Sequence, residues 1–340
     1  MNALGEDRDG ILSRAVHRRF GLVGRVFELT MDPGDPEVFF SVSQMPNTTR
    51  LLGLPSAEQG SGGAFTREEA RMKAVGEAIE RYSCAFYDPG VFLRAPYSDL
   101  RGAAVAPERW SLFSERQYAE GLPFVRFERD LQLAWHRARS LTTRDEVFVP
   151  AQFIFMPYHY VDEPMVALSN SSGVASGRTF EAAALTALYE LVERDAVMVF
   201  WLNRIRGPGV RLDPDCAVYE VFQRKLNRTG LAYHVFDFST DFRIPISFVV
   251  VMDEMNQQFS VGVGAACRLN SHEATLKGLV EAITTRTWLR RMVRKQGDFP
   301  IVEGFANVRD FEDHVRLFGR PEMLYALDFL LARHRRNGLP

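Results

Sequence analysis

Residues 60–81 read Gly60-Ser61-Gly62-Gly63-Ala64-Phe65-Thr66-Arg67-Glu68-Glu69-Ala70-Arg71-Met72-Lys73-Ala74-Val75-Gly76-Glu77-Ala78-Ile79-Glu80-Arg81, a glycine-rich loop followed by a run with helical spacing. Thr66 and Glu69 have the cap-x-x-Glu spacing in which two side chains satisfy the first free backbone amides. Behind them Ala70, Ala74, Val75 and Ala78 make an apolar stripe of helical period.

The same plan recurs twice. Gly173 and Gly177 precede Thr179, Glu181, Ala183, Ala187, Glu190, Leu191, Val192, Glu193 and Arg194; Gly262 and Gly264 precede Asn270, Glu273, Ala274, Gly278, Glu281 and Arg286. In each unit a Thr or Asn stands eleven residues before a Glu. Three similar loop-helix units are therefore expected, with helices starting near Thr66, Thr179 and Asn270. Their small residues would let each helix lie close to a sheet or to another helix.

Around this repeat, residues 23–30 and 38–45 read as strands joined by the turn Asp32-Pro33-Gly34-Asp35-Pro36, so a hairpin is expected. Further strand candidates are 131–137, 147–155, 165–169, 233–238, 246–252 and 259–264. They alternate with helical stretches, which gives an α/β or mixed α+β class. The chain divides into an N-terminal hairpin and loop segment, 1–60, and a main domain, 61–335.

The 340 residues are 46% hydrophobic and 25% charged, enough for a large buried core. With a net charge of -2 there is no basic surplus to neutralise a phosphate backbone, so nucleic acid is not expected as a partner. The run Arg286, Arg290, Arg291, Arg294 and Lys295 reads as a solvated helix face. Cys84, Cys216 and Cys267 are far apart and form no Cys-x-x-Cys pair, which points away from a disulfide framework or thiolate zinc site. No signal segment or apolar run of membrane-spanning length is visible, and a cytoplasmic protein is expected.

The chemistry lies in the acidic pairs. Glu77 with Glu80, and Glu190 with Glu193, are three apart and project from one helix face each, while Arg81 and Arg194 follow four after the first Glu of each pair. Salt-bridged surface helices are one reading. The apolar neighbours Ala78, Ile79, Leu191, Val192, Ala196 and Val197 favour another, because charges among apolar residues need a partner. Mg2+ shared with substrate phosphates is the natural one. There is no Gly-x-x-x-x-Gly-Lys-Ser/Thr loop, so phosphates would be held by arginines, metal and helix N-termini.

Gly62-Gly63-Ala64-Phe65-Thr66 with Glu77-Ala78-Ile79-Glu80-Arg81-Tyr82-Ser83, and Ser171 to Gly177 with Glu190-Leu191-Val192-Glu193-Arg194-Asp195-Ala196, resemble the YcaO family. The resemblance spans about residues 10–335. It implies an α/β, mixed α+β fold with an ATP site that lacks a Walker motif. Glu77, Glu80, Glu190 and Glu193 would be the metal ligands, Arg81 and Arg194 phosphate contacts, and Glu281 and Arg286 match the third family motif and join the cofactor-binding set.

The family activates a backbone amide of a ribosomal precursor peptide with ATP and Mg2+. The implied activity is cyclodehydration of Cys, Ser or Thr to azolines. Thioamide or amidine formation, and a nucleotide- or peptide-binding subunit without turnover, are the alternatives. A separate leader-peptide-binding partner is expected, because residues 1–60 look like hairpin plus loop, and a homodimer is an allowed assembly. The chain departs from the family at Lys73, where Ser is frequent, at Gly63, where Lys is frequent, and at Thr284, where Gln is usual. It reaches Leu339-Pro340 without a Pro-x-Pro-x-Pro tail, so the family's C-terminal part is expected to be lacking.

Overall fold

In the computed structural model, residues 10, 12, 14–49, 53, 59–100, 102–160, 162–254 and 261–331 are described. The turn at Asp32–Pro36 joins β1 (Arg25–Leu29) to β2 (Phe39–Gln44) as the sequence predicts, with Gly34 at φ 85°, where a side chain would be strained. Arg25 pairs with Gln44 and Leu29 with Phe40 in an antiparallel register.

β2 then pairs with β3 (Gln59–Ala64), so the stretch that reads as a glycine-rich loop is a strand. Glycine carries no β signal of its own. Its purpose emerges from what lies above: α1 (Arg67–Ala85) packs directly on β3, and a Cβ at Gly60 would stand 2.6 Å from Ala74 O and 2.7 Å from Ala78 N. Ala70, Ala74 and Ala78, all fully buried, complete this close approach.

The third unit repeats the arrangement. Gly262 and Gly264 lie in β10 (Val261–Cys267), and a Cβ at Gly264 would meet the Gly278 carbonyl of α5 (Ser271–Gln296) at 2.5 Å. Gly60 and Gly264 each stand six residues before their helix cap. Thr66, Thr179 and Asn270 are the three N-caps, as predicted, each accepting from a backbone amide of the first turn. The second unit differs: residues 171–177 form no strand, and α3 (Phe180–Leu202) follows a true loop.

The chain continues from α1 through β4 (Leu93–Pro96), α2 (Glu115–Ala119), β5 (Gln132–Arg139) and β6 (Glu146–Pro150). β4, β5 and β6 make a separate antiparallel sheet around Leu133 and Trp135. The predicted strand 147–155 stops at Pro150, which has no N–H to extend the ladder, and Ala151–Phe153 is a 3-10 turn. Residues 165–169 are not a strand either. Val166 donates instead to Gln152 Oε1, and the Met165 carbonyl accepts from Val125.

After α3 come β7 (Gly209–Val210), α4 (Ala217–Val221), β8 (Leu231–Asp237), β9 (Ile246–Asp253) and β10, which build a four-stranded antiparallel sheet in the order β10-β9-β8-β7. β9 is buried on both faces, which explains its uninterrupted apolar run. Phe248 and Val250 join Val192 and Ala196 of α3 in one core cluster, while Val249 and Val251 join Leu279 and Ile283 of α5 in another. The sheet thus holds α3 and α5 on opposite sides. α6 (Phe311–Phe318) and α7 (Asp328–Leu331) complete the described chain, with Leu330 and Leu331 closing the α3 cluster. Among the described residues the paired strands β1 to β10 run antiparallel and are mixed with helices, so the α+β form of the expected class holds. No helix among the described residues is long and apolar enough to cross a membrane.

Candidate functional site

Each repeat helix brings an acid to a common region. On α1, Glu77 Oε2 accepts from the Ser61 amide at 2.8 Å and the Ser61 hydroxyl at 3.0 Å, and Arg81 Nη2 lies 3.4 Å from Glu77 Oε1. Ser61 therefore fixes one acid from the strand below. It was not anticipated from sequence, and its signal is its place between glycines sixteen residues before Glu77.

Glu80, one turn on, is half-buried, and burial pushes its carboxyl up to about 7. The Arg81 charge opposes that rise, and the Glu77 and Glu190 charges add to it. Glu190 belongs to α3, so the first two acidic pairs meet. The Ser176 backbone amide also reaches Glu80 from the loop before α3.

Glu193 is buried and accepts from the Cys267 amide of β10 at 3.1 Å. Burial raises its carboxyl well above the usual range, Glu281 of α5 adds to the rise, and Lys277 and the Cys267 amide oppose it. The second and third units therefore meet as well. Lys277 pairs with Glu281 on α5, and Arg194, at 3.6 Å from Glu190 Oε1, stands mostly in solvent. The charges of Glu77 and Glu190 thus act on Glu80, and that of Glu281 on Glu193, linking carboxylates of three helices electrostatically.

Arg286 is elsewhere. It is 5% exposed, donating to Asp35 Oδ1 at 3.1 Å and Asp253 Oδ2 at 2.7 Å. Arg290 binds Asp35 at 2.6 Å and also Asp32, and Arg294 adds a contact to Asp32 at 2.7 Å. The basic run of α5 is thus only partly a solvated face: Arg291 and Lys295 are exposed, whereas Arg286 is buried, Arg290 is partly buried, and both are paired. It clamps the hairpin turn, because the acids that neutralise it come from the far end of the sequence. Arg286 Nε is buried without a hydrogen bond.

Among the described residues, no three His, Cys, Asp or Glu side chains converge as a ready-made metal cage. The donors nevertheless fit a hard cation shared with phosphate. Two carboxylates hold raised proton affinities because like charges and burial surround them. Arg81 Nη1 is buried without a hydrogen bond, with Glu80 Oε1 only 3.9 Å away. Unbalanced groups of both signs side by side suit a ligand that is itself cation plus anion, and Mg2+ normally completes its shell with phosphate and water rather than with protein alone.

Comparison with known proteins identifies the family. The family described as YcaO cyclodehydratase, ATP- and Mg2+-binding, matches residues 61–339. An uncharacterized protein of Methanothermobacter thermautotrophicus is 28% identical over 87% of this chain and 78% of its own length. An uncharacterized protein in the tfuA 3' region of Rhizobium leguminosarum bv. trifolii is 30% identical over 71% of this chain and 56% of its own. Among solved structures, a heterocyclase in complex with substrate and cofactor superposes with a TM-score of 0.75 at 25% identity, over 95% of this chain but only 43% of that one. YcaO from Methanopyrus kandleri bound with AMPPCP and Mg2+ has the same fold, with a TM-score of 0.58 at 22% identity over 87% of this chain and 69% of that one. The chain therefore belongs to the YcaO family.

Proposed function

We propose that this chain uses Mg2+ and ATP to activate a backbone amide of a ribosomal precursor peptide, and that the product is an azoline formed by cyclodehydration at Cys, Ser or Thr. The observation that carries the reading is the electrostatic linking of Glu77, Glu80, Glu190, Glu193 and Glu281 from three helices, with an Arg81 that has an unbonded N–H.

The bound nucleotide supplies a phosphoryl group that turns the amide oxygen, a poor leaving group, into phosphate, a good one. Glu77, Glu80, Glu190 and Glu193 would hold the cation. Ser61 and the Cys267 amide hold two of these acids in place before any ligand arrives. Arg81 contributes a buried donor for phosphate, and the exposed Arg194 a second. Arg286 acts at one remove, by fixing α5 against the hairpin so that Glu281 faces Glu193. The membership of the family, whose description includes ATP and Mg2+ binding, supports the same cofactors here. A peptide substrate and a separate leader-binding protein are proposed as its partners, and the cytoplasm as its location.

Incubating the chain with Mg-ATP and peptides rich in Cys, Ser and Thr tests this. ADP release with loss of one water per modified residue is expected. Sulfur-for-oxygen exchange in the presence of sulfide would assign the thioamide reaction instead, and ATP binding without turnover on any such peptide would count against the enzyme reading.

A further inference from the structure

Lys73 stands one helical turn before Glu77 on α1, and its Nζ donates to the Gly63 carbonyl at 3.0 Å. Gly63 sits where β3 meets α5. A Cβ there would lie 2.5 Å from Thr284 Cγ2 and 3.0 Å from Val280 Cγ1, so position 63 offers a carbonyl and no side chain. The ammonium of Lys73 is therefore carried to the junction of the first and third units, where the charge of Glu281 acts on it.

The cations around it differ in what they already bind. Lys277 pairs with Glu281, and Arg268 donates to the Cys267 carbonyl at 2.6 Å and lies over the Tyr189 ring. Among the described residues no carboxylate stands within ion-pair distance of Lys73. It remains accessible to solvent on one side, yet surrounding protein is the largest influence lowering its proton affinity, and the charges of Lys277 and Arg268 lower it further against Glu69 and Glu281. An exposed cation anchored by a backbone carbonyl, with two other cations acting on it, is suited to an anion that enters from solvent.

Given the nucleotide reading above, on which this rests, we infer that Lys73 is a phosphate-contacting residue: with Gly63 O as its fixed anchor, its remaining N–H groups bind the phosphate chain of Mg-ATP. A triphosphate whose metal would be held by these acids also needs positive charge beside it, and Lys73 lies within reach of the charge of Glu281, which in turn acts on Glu193. Base and ribose, which are uncharged, give an ammonium no comparable attraction.

The test is chemical footprinting of the intact wild-type chain with an acetylating ester, with peptide masses followed at Lys73 and, as a control, at Lys225, which donates to Phe65 O. Saturating Mg-ATP should slow acetylation of Lys73 at least about fivefold, adenosine should not, and Lys225 should be unaffected. In parallel, Lys73→Met should weaken Mg-ATP binding by about tenfold, the size of one charge-assisted contact, and leave adenosine binding unchanged. If calorimetry shows that wild-type protein binds Mg-ATP while Lys73 is acetylated equally fast with and without it, this inference fails and the nucleotide site stands. If the wild type binds no Mg-ATP, both fail.

Discussion

The backbone amide of Cys267, the last residue of β10, donates to Glu193 Oε2 across 3.1 Å, which ties the acid of the second repeat to the strand of the third. This bond holds a buried carboxylate in place without neutralising it. The cost of that charge in the empty protein makes the site testable by several routes.

One route is pH. Glu80 titrates near 4.5 when unfolded and at about 7 when folded. Between those values the folded state holds the extra proton, so stability falls as pH rises, and above the folded value the full penalty is present. In chelator, the melting temperature should drop from pH 5 to pH 7.5, and Glu80→Gln should flatten that drop. A wild-type profile that rises over this interval, and that Glu80→Gln leaves unchanged, would contradict the assignment.

The glycine strands give a second prediction. A methyl at Gly60 would press on backbone atoms of α1, which cannot turn aside. Gly60→Ala should cost about 1–3 kcal/mol, the usual range for overpacking. Gly24→Ala, whose Cβ would meet only Gln44 O at 3.5 Å, should be nearly neutral. Equal denaturant midpoints for the two variants would refute the close strand-helix contact.

A third concerns the clamp on α5. Removing Arg286 takes one cation from Asp35, which keeps Arg290, and from the largely buried Asp253, so the loss should reach at most the ~3–5 kcal/mol of a broken buried pair. Arg294 is half-exposed, and its loss should cost at most about 1 kcal/mol. Urea unfolding of Arg286→Met and Arg294→Met measures both. An Arg286→Met protein of normal stability would assign this arginine to ligand rather than to fold.

What the sequence made legible was local. The caps at Thr66, Thr179 and Asn270 depend on residues within one turn, and the hairpin on its own Pro-Gly turn, so both could be read directly. The strands β3 and β10 could not be read fully, because Gly60, Gly62, Gly262 and Gly264 are set by helices that follow them. The run from Arg286 to Lys295 looked solvated for the same kind of reason, since its partners Asp32 and Asp35 lie some 250 residues earlier. Of the candidate site, the proposed acids stand out by their spacing. Ser61, Ser176 and Cys267 do not, because they act on those acids through folding.

The affinity of Glu193→Gln for Mg-ATP, read by calorimetry beside its melting temperature, tests the central claim most directly. Glutamine keeps the acceptor for the Cys267 amide and removes one of the crowded charges. The empty variant should melt at the wild-type temperature or slightly above it. Its Mg-ATP binding should be weaker by more than tenfold, a loss of at least about 1.4 kcal/mol, and wild-type binding should disappear in chelator. A variant that melts lower yet binds Mg-ATP as tightly as the wild type would contradict the account, and would mark Glu193 as a structural acid.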